Sequence, residues 1–184
     1  MGKIAASLFV SLDGVMETPE DWTAGYVTEE VQRVPYSLID GGDVLLLGRV
    51  TYQTFAEAFG GEKADNPFAS LMTEKSKVVV SSTLDKAEWA NSTLISDDVA
   101  EGIAELKREP GKTISISGSP TLVGWLLREG LLDELDVLVF PVVVGSGRRV
   151  FEGDGGVVAL DLLSTETFDN GVVHHTFTRA DSAA

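Results

Sequence analysis

The chain has 184 residues and a mass of 19.6 kDa, which is the length of one domain. Its 29 acidic residues outnumber 14 Lys and Arg, and the resulting net charge of −15 argues against DNA, RNA or an anionic membrane as the main partner. The absence of cysteine excludes disulfides, thiolate chemistry and cysteine-based zinc sites. The two histidines, His174 and His175, are adjacent and would face opposite sides of a strand, so we expect no metal centre.

The amino terminus contains a short apolar run, from Ile4 to Leu12. Asp13-Gly14 ends it without a small-residue cleavage site, so it does not have the pattern of a signal peptide. No run reaches the ~18 apolar residues of a membrane span. We therefore expect the first strand of a cytoplasmic protein.

The first half of the chain alternates strand and helix patterns. Lys3 to Val10 is predicted as a strand. Residues 29–39 have helical apolar spacing, with Thr28 as a candidate N-cap and Pro35 as a point where the helix begins late or kinks. The apolar run from Asp43 to Leu47 is typical of a buried parallel strand.

A short helix is predicted next, with its apolar side formed by Tyr52, Phe55 and Phe59 and its end at Gly60-Gly61. Residues 60–76, with Asn66-Pro67 in their middle, have the least regular pattern. The rest of the pattern is a strand at Lys77–Val80, a helix entered at Ser96 or Asp97 and left at Pro110-Gly111, a strand at Thr113–Ser117, and a helix from Ser119-Pro120 to Gly130.

The carboxyl-terminal third is predicted as three strands, at Leu135–Val144, 157–163 and 172–178, without a helix pattern between them. The order of elements predicts one three-layer α/β domain over residues 1–184. Its mixed, mostly parallel sheet would have antiparallel C-terminal strands and helices on both faces. Residues 135–144 are apolar on both faces, and the apolar residues near Val142 to Val144 and in 157–163 have no obvious cover within the chain, which predicts a homodimer through the C-terminal strands. The alternative is that the final strands curl over the core and bury the same residues.

Three corners that follow predicted strands collect small polar residues: Gly48-Arg49-Val50-Thr51, Ser81-Ser82-Thr83 and Gly118-Ser119-Pro120-Thr121. Ligands of open α/β sheets bind at this edge, and helix N-termini, arginine and hydroxyls suit phosphates. Each corner has a structural alternative, namely turn glycines, an ordinary N-cap at Ser119 and a polar strand end at Ser81-Ser82. No corner matches the Walker A or G-x-G-x-x-G pattern.

Three further features admit two interpretations. Gly145-Ser146-Gly147-Arg148-Arg149 could be a phosphate loop, but no helix pattern follows it, which favours a flexible connection. Asp13 ends the first strand at the ligand edge and is a candidate catalytic and substrate-binding residue, or else part of a turn with Gly14. Trp22 could cover a planar ligand or cap the core.

Several of these segments resemble one family. Residues 3–14, 44–52 and 77–82 are similar to the dihydrofolate reductase superfamily. Residues 116–122, 126–135 and 141–142 resemble the C-terminal reductase domain of the bifunctional riboflavin-biosynthesis deaminase/reductase. The similarity extends over about residues 3–178.

The resemblance implies a homodimeric, metal-free, NADPH-dependent reductase, similar to 5-amino-6-(5-phosphoribosylamino)uracil reductase and dihydrofolate reductase. It places Gly48, Arg49 and Thr51 on the adenosine-phosphate side, and Ser81 and Ser82 at the 2′-phosphate. It places the pyrophosphate at Gly118, Ser119, Pro120, Thr121 and Leu122, and the substrate near Asp13 and Trp22.

The resemblance also suggests what the substrate is not. Pro35-Tyr36-Ser37-Leu38 stands where the riboflavin enzymes carry His-x-Leu-Arg. We therefore expect a small heterocyclic or carbonyl substrate other than the riboflavin intermediate. The alternatives are a non-catalytic nucleotide-binding or regulatory module on the same fold, and a phosphate-ligand enzyme without redox chemistry.

Overall fold

The computed structural model describes residues 1–60, 67–152 and 156–180. Gly61 and Asn66, at the predicted helix end and in the predicted irregular stretch, lie outside the described residues. The strands are β1 (Lys3–Ser11), β2 (Val44–Gly48), β3 (Ser76–Val80), β4 (Ser92–Ile95), β5 (Thr113–Ser117), β6 (Glu134–Phe140), β7 (Leu160–Thr167) and β8 (Val173–Arg179). The helices are α1 (Pro19–Trp22), α2 (Glu29–Gly41), α3 (Arg49–Phe59), α4 (Pro67–Glu74), α5 (Val99–Lys107) and α6 (Pro120–Arg128).

All eight strands belong to one sheet in the order β4-β3-β2-β5-β1-β6-β8-β7. The first six strands of this order are parallel, β8 pairs antiparallel with β6, and β7 pairs antiparallel with β8. The predicted mixed, mostly parallel sheet with antiparallel C-terminal strands is confirmed.

Helices cover both faces of the sheet. On one face, Ile103 of α5 and Leu126 of α6 share a buried cluster with Leu8 of β1. On the other, Tyr52 of α3 and Met72 of α4 share a second cluster with Leu45 of β2. The predicted three-layer architecture follows from these two clusters.

A third cluster covers the carboxyl end of β6 on the α2 side. Leu138 and Phe140 are fully buried there against Val31 of α2, with Trp22 and Tyr26 of the loop after β1 packed beside them. On the opposite face Leu135 is buried in the first cluster. One chain therefore buries Leu135, Leu138 and Phe140, whereas Val137 and Val139 remain partly exposed, and the homodimer stays a prediction.

Helix α2 forms where its pattern predicted. Val31 N–H donates to Thr28 Oγ1 at 3.4 Å, which confirms the N-cap, and the helix continues through Pro35 to Gly41. The helix therefore does not begin late at Pro35, and it does not end there. No helix among the described residues has the length and apolar character needed to cross a bilayer.

Other predicted bounds need correction. The stretch 60–76 contains α4, and residues 92–95 form a strand that the sequence pattern did not indicate. Helix α5 starts at Val99 behind Asp98 rather than at Ser96 or Asp97. The predicted strand 135–144 ends at Phe140, and the strand predicted at 157–163 occupies Leu160–Thr167.

Candidate functional site

The site is built on the edge of the sheet at which the parallel strands end. β2 and β3 are in register up to Gly48 and Val80, so the segments that follow them leave the sheet side by side. β5 ends at Ser117 between β2 and β1, which brings the Gly118 corner next to the Gly48 corner. The three polar corners predicted from the sequence therefore lie at one edge.

Two of these corners are joined by reciprocal hydrogen bonds. Gly48 N–H donates to Ser119 Oγ at 2.9 Å, and Ser119 N–H donates to Thr51 Oγ1 at 3.1 Å. The Ser119 side chain makes no capping bond to its own helix, so its predicted role as an ordinary N-cap is wrong. Its hydroxyl instead holds the start of α3 against the start of α6.

The backbone at Gly118 and Ser119 is left-handed, with φ values of 72° and 59°, and the peptide bond that joins the two residues is trans. A Cβ at Gly118 would lie 3.3 Å from Cγ2 of Thr51, so both the conformation and the close contact favour glycine there. At Gly48 an added Cβ would lie 3.4 Å from Ser119 Oγ.

The remaining residues of the α6 corner contribute mainly backbone. Pro120 is the first residue of the helix and has no N–H. Thr121 is exposed and Leu122 is buried in the core. The N–H groups of Thr121 and Leu122 are in the first turn, where a helix provides no internal acceptor for them. These two groups are therefore available to an anion.

Arg49 and Ser81 directly follow the register pair Gly48 and Val80. Arg49 is exposed, and its Nη1 donates to Gln53 Oε1 at 3.1 Å. Ser81 is buried, and its Oγ accepts the N–H groups of Thr83 and Leu84 at 3.2 and 3.1 Å. The Ser81 hydroxyl thus organises its own turn.

Ser82, the next residue, is exposed. The exposed polar side chains at this corner are therefore Arg49, Ser82 and Thr83.

Asp13 is held by three donors. Its Oδ1 accepts Val144 N–H at 3.0 Å and Ser11 Oγ–H at 2.7 Å, and its Oδ2 accepts Gly145 N–H at 2.8 Å. The Val144 N–H, followed by the Ser11 hydroxyl and the Gly145 N–H, lowers the pKa of Asp13 to about 2. An ionised Asp13 can accept hydrogen bonds but has no proton to give near neutral pH.

Trp22 packs on the third core cluster. Its ring lies edge-on to Phe140 with a centroid separation of 5.6 Å, and its Nε1 donates to the carbonyl of Glu17 at 2.9 Å. It therefore caps this part of the core. The side chain remains partly exposed beside the loop that follows β1.

Sequence reasoning did not find a group of arginines beside α6. A cleft of about 520 Å³ is lined by Thr121, Gly124 and Arg128 of α6 and by Arg148, Arg149 and Glu152 of the segment after β6. The signal in the sequence was the Gly145–Arg149 segment, for which a flexible connection was favoured. Arg128, a single charge at the end of a predicted helix, gave no signal.

The segment after β6 is hydrogen-bonded to the loop after β1, so a flexible connection is the wrong description. Met16 N–H donates to the Arg148 carbonyl at 3.0 Å, and Val150 N–H donates to the Gly14 carbonyl at 3.1 Å. Val15 and Arg149 form an antiparallel bridge between these two bonds. The bonds from Asp13 extend the same attachment to Gly145.

The joined corners gather hydrogen-bond donors at the place where α3 and α6 begin. Glycine at 48 and 118 keeps side-chain atoms away from the place where α3 and α6 begin side by side. Two helix N-termini and the Arg49 guanidinium are donors that suit a doubly charged anion.

Known proteins are similar to this one over most of the chain. A family model described as the RibD C-terminal domain matches residues 2–174. The Bacillus subtilis (strain 168) protein named only as uncharacterized protein YyaP is 27% identical over 182 residues, which is 93% of this chain and 92% of that protein. YwjB of the same organism, also named only as an uncharacterized protein, is 28% identical over 176 residues, with 94% and 96% covered.

Solved structures share the fold. A Shewanella sp. PV-4 protein, whose name suggests riboflavin biosynthesis, gives a TM-score of 0.76 at 19% identity, over 97% of this chain and 99% of that chain. The diaminohydroxyphosphoribosylaminopyrimidine deaminase/5-amino-6-(5-phosphoribosylamino)uracil reductase of Thermotoga maritima gives a TM-score of 0.69 at 12% identity. The match covers 97% of this chain and 57% of that protein.

Proposed function

The chain belongs to the RibD C-terminal domain family, and from this premise we propose that it is an NADPH-dependent reductase of a small heterocyclic or carbonyl substrate. The observation that carries the proposal is the pair of helix N-termini joined through Ser119 at the carboxyl edge of the parallel sheet. Open α/β sheets bind their ligands at this edge.

In this proposal the starts of α3 and α6 hold the diphosphate through backbone N–H groups, those of Thr51 and Leu122 among them. Arg49 and Ser82 are the exposed groups placed to meet a 2′-phosphate. Ser81 contributes by shaping the turn that presents Ser82. NADPH, when bound, would supply the hydride.

On the substrate side, Asp13 would act as an anion. Its three present donors leave about one of the four acceptor positions of a carboxylate free, which suits an N–H group of a heterocycle. Trp22 would exclude water from one side of the substrate. The proton that accompanies the hydride must come from a group other than Asp13, because the low pKa of Asp13 keeps it ionised.

The proposal predicts that NADPH binds more tightly than NADH. Charge-assisted bonds from Arg49 to a 2′-phosphate are worth about 1.5–3 kcal/mol, so Arg49→Ala should weaken NADPH by roughly 10- to 100-fold and NADH far less. Nicotinamide fluorescence titrations of both cofactors measure this directly. Arg108→Ala, which removes an exposed arginine of the α5 end, is the matched control. Equal dissociation constants for NADPH and NADH in the unaltered protein would contradict the assignment.

A nucleotide-binding module without catalysis is the second candidate, and the state of Asp13 favours it. The acid predicted at the substrate side is committed to three donors and is ionised. Both candidates predict NADPH binding, so the distinguishing measurement is substrate-dependent oxidation of bound NADPH. A panel of pterins, aminopyrimidines and small carbonyl compounds tests it. Oxidation by one of them above the background rate supports the reductase.

A further inference from the structure

Three of the chain's seven arginines line one cleft. Arg128 lies at the end of α6, and Arg148 and Arg149 lie on the segment that returns from β6. Thr121, in the first turn of α6, lines the same cleft, and its Oγ1 accepts Nη1 of Arg148 at 3.5 Å. Arg128 thus lines the same cleft as Arg148, which lies 20 positions further along the chain.

The charge of this cleft is not neutralised within the part of the chain that the structure describes. None of the three guanidinium groups forms an ion pair with a described carboxylate. Arg128 makes no side-chain hydrogen bond there, and Arg149 uses only its Nε, which donates to the carbonyl of Asp13 at 3.1 Å. Glu152 is the one carboxylate among the lining residues, so the cleft has a formal charge of +2. In a chain of net charge −15, this local concentration of positive charge attracts an anionic ligand to the cleft.

The cleft is also held in place. The segment that carries Arg148 and Arg149 is fixed to the β1 loop by the Met16 and Val150 backbone bonds and by Asp13. Arg128 is anchored by the nine-residue helix α6, whose N-terminus opens beside the same space. Because the backbone that carries the three arginines is held before a ligand arrives, only their side chains have to be ordered on binding.

We propose that the Arg128–Arg148–Arg149 cleft is a binding site for a phosphate or diphosphate group. Three planar guanidinium groups and a hydroxyl can bind several phosphate oxygens at once, as bidentate arginine contacts do. The site adjoins the proposed cofactor site at Pro120 and Thr121, and otherwise uses residues outside it. The phosphoryl group therefore has two possible sources, the diphosphate of the cofactor or a phosphate of the second ligand. The site itself does not depend on redox chemistry.

Calorimetry with inorganic pyrophosphate tests the site on the full-length chain. The unaltered protein should bind pyrophosphate, and Arg128→Gln and Arg148→Gln should each weaken binding about three- to tenfold, with a larger loss in the double variant. Arg108→Gln, which removes the same charge outside the cleft, should bind like the unaltered protein. Thermal unfolding of each variant confirms that exposed arginines were changed without loss of the fold.

Titration of the NADPH-saturated protein distinguishes the two sources. If NADPH displaces pyrophosphate, and the double variant also weakens NADPH, the cleft holds the diphosphate of the cofactor. If pyrophosphate still binds to the saturated protein, and binding still depends on Arg128 and Arg148, the cleft serves the second ligand. Absence of pyrophosphate binding at millimolar concentration, or equal binding by the double variant and the unaltered protein, overturns the proposal. Either result leaves the NADPH proposal standing, because that proposal depends on Arg49 and the cofactor titrations.

Discussion

Lys77 is fully buried and forms no ion pair with any carboxylate among residues 1–60, 67–152 and 156–180. Its Nζ donates to the carbonyls of Met72, Thr73 and Lys75 at 2.8, 3.0 and 2.7 Å and lies 4.3 Å from the ring centroid of Trp89. These carbonyls belong to the end of α4 and the residue after it, where a helix has no internal donors left. Lys77 therefore terminates α4, while its own burial lowers its pKa to about 8.

Lys77→Met should destabilise the protein by about 1–3 kcal/mol at neutral pH, because it leaves buried carbonyls without a donor. The unfolded chain, with the ordinary pKa of 10.5, holds more protons at this side chain than the folded chain between pH 8 and 10.5. Lys77 therefore makes the free energy of unfolding of the unaltered protein increase with pH in this window, by at most about 1.4 kcal/mol per pH unit. Lys77→Met has no amine at this position and lacks this pH-dependent contribution to stability.

Urea unfolding at pH 7 and pH 9.5 measures both effects. The stability difference between the unaltered protein and Lys77→Met should be larger at pH 9.5. Lys86→Met, at an exposed lysine, is the control and should show neither effect. A difference that is the same at the two pH values would mean that the pKa of Lys77 is not lowered in the folded state.

A second prediction at the residue scale concerns the hydrogen bonds that Asp13 accepts from Val144 and Gly145. Asp13→Asn replaces one carboxylate oxygen by an NH₂ group, which cannot accept the two backbone N–H groups together with the Ser11 hydroxyl. The amides of Val144 and Gly145 should then exchange with solvent faster, while the buried amide of Leu46 should not change. Hydrogen exchange followed by NMR measures this, with Asp21→Asn as the exposed control. Unchanged exchange at Gly145 would show that Asp13 does not hold this segment.

The limits of sequence reasoning are visible in single residues of the site. Gly48 and Gly118 could be predicted because a strand followed by glycine and a helix start is a local pattern. That the Ser119 hydroxyl binds Gly48 rather than its own helix could not, since the contact joins residues 71 positions apart. Arg128 was missed for the same reason, because only the tertiary fold brings it to Arg148 and Arg149.

Among the elements, length and burial decided what could be predicted. Helix α2 has 13 residues, an N-cap at Thr28 and an apolar stripe, and its pattern was sufficient. Strand β4 has four residues, of which none is fully buried, and its position comes from pairing with β3. Helix α4 has eight residues, and its stability comes from Met72 in the core and from Lys77. Such elements are set by their neighbours rather than by their own sequence.

Lys107 and Asp133 form a junction between α5, β1 and β6, and we expect its loss to destabilise the protein. Lys107, at the end of α5, donates to Asp133 Oδ2 at 2.6 Å and to the Leu131 carbonyl at 2.8 Å. The same Oδ2 accepts Ile4 N–H of β1 at 2.7 Å, and Asp133 directly precedes β6. Asp133→Ala would leave the nearly buried ammonium of Lys107 without a carboxylate.

We expect Asp133→Ala to cost about 2 kcal/mol of unfolding free energy. This is less than the ~3–5 kcal/mol for breaking a fully buried pair, because the Asp133 side chain is 41% exposed. Glu109→Ala breaks the more exposed pair with Lys112 and should cost less than about 1 kcal/mol. Denaturant unfolding of both variants makes the comparison. Equal, small losses would show that the junction contributes no more than a surface ion pair.

At the scale of the whole molecule, the two edge strands of the sheet are β4 and β7, and β7 is the more exposed of them. This strand pairs with β8 along one edge only, and its residues are exposed except for Leu160, which is partly buried. Leu162 and Leu163 are 56% and 58% exposed and lie at an irregularity in the β7–β8 register. An uncovered edge strand with apolar side chains is a template for pairing with another chain.

We therefore propose that the homodimer predicted from the C-terminal strands forms at β7, whose residues are more exposed than those of β6. We expect light scattering at micromolar concentration to give a mass near twice 19.6 kDa. Leu163→Lys, which places a charge on the open edge, should shift the equilibrium towards monomer. Lys86→Met changes an exposed side chain far from β7 in the sheet order and should remain a dimer. A mass near 19.6 kDa at every concentration would mean that the edge stays open and that the irregularity between Leu162 and Ser164 is enough to prevent pairing.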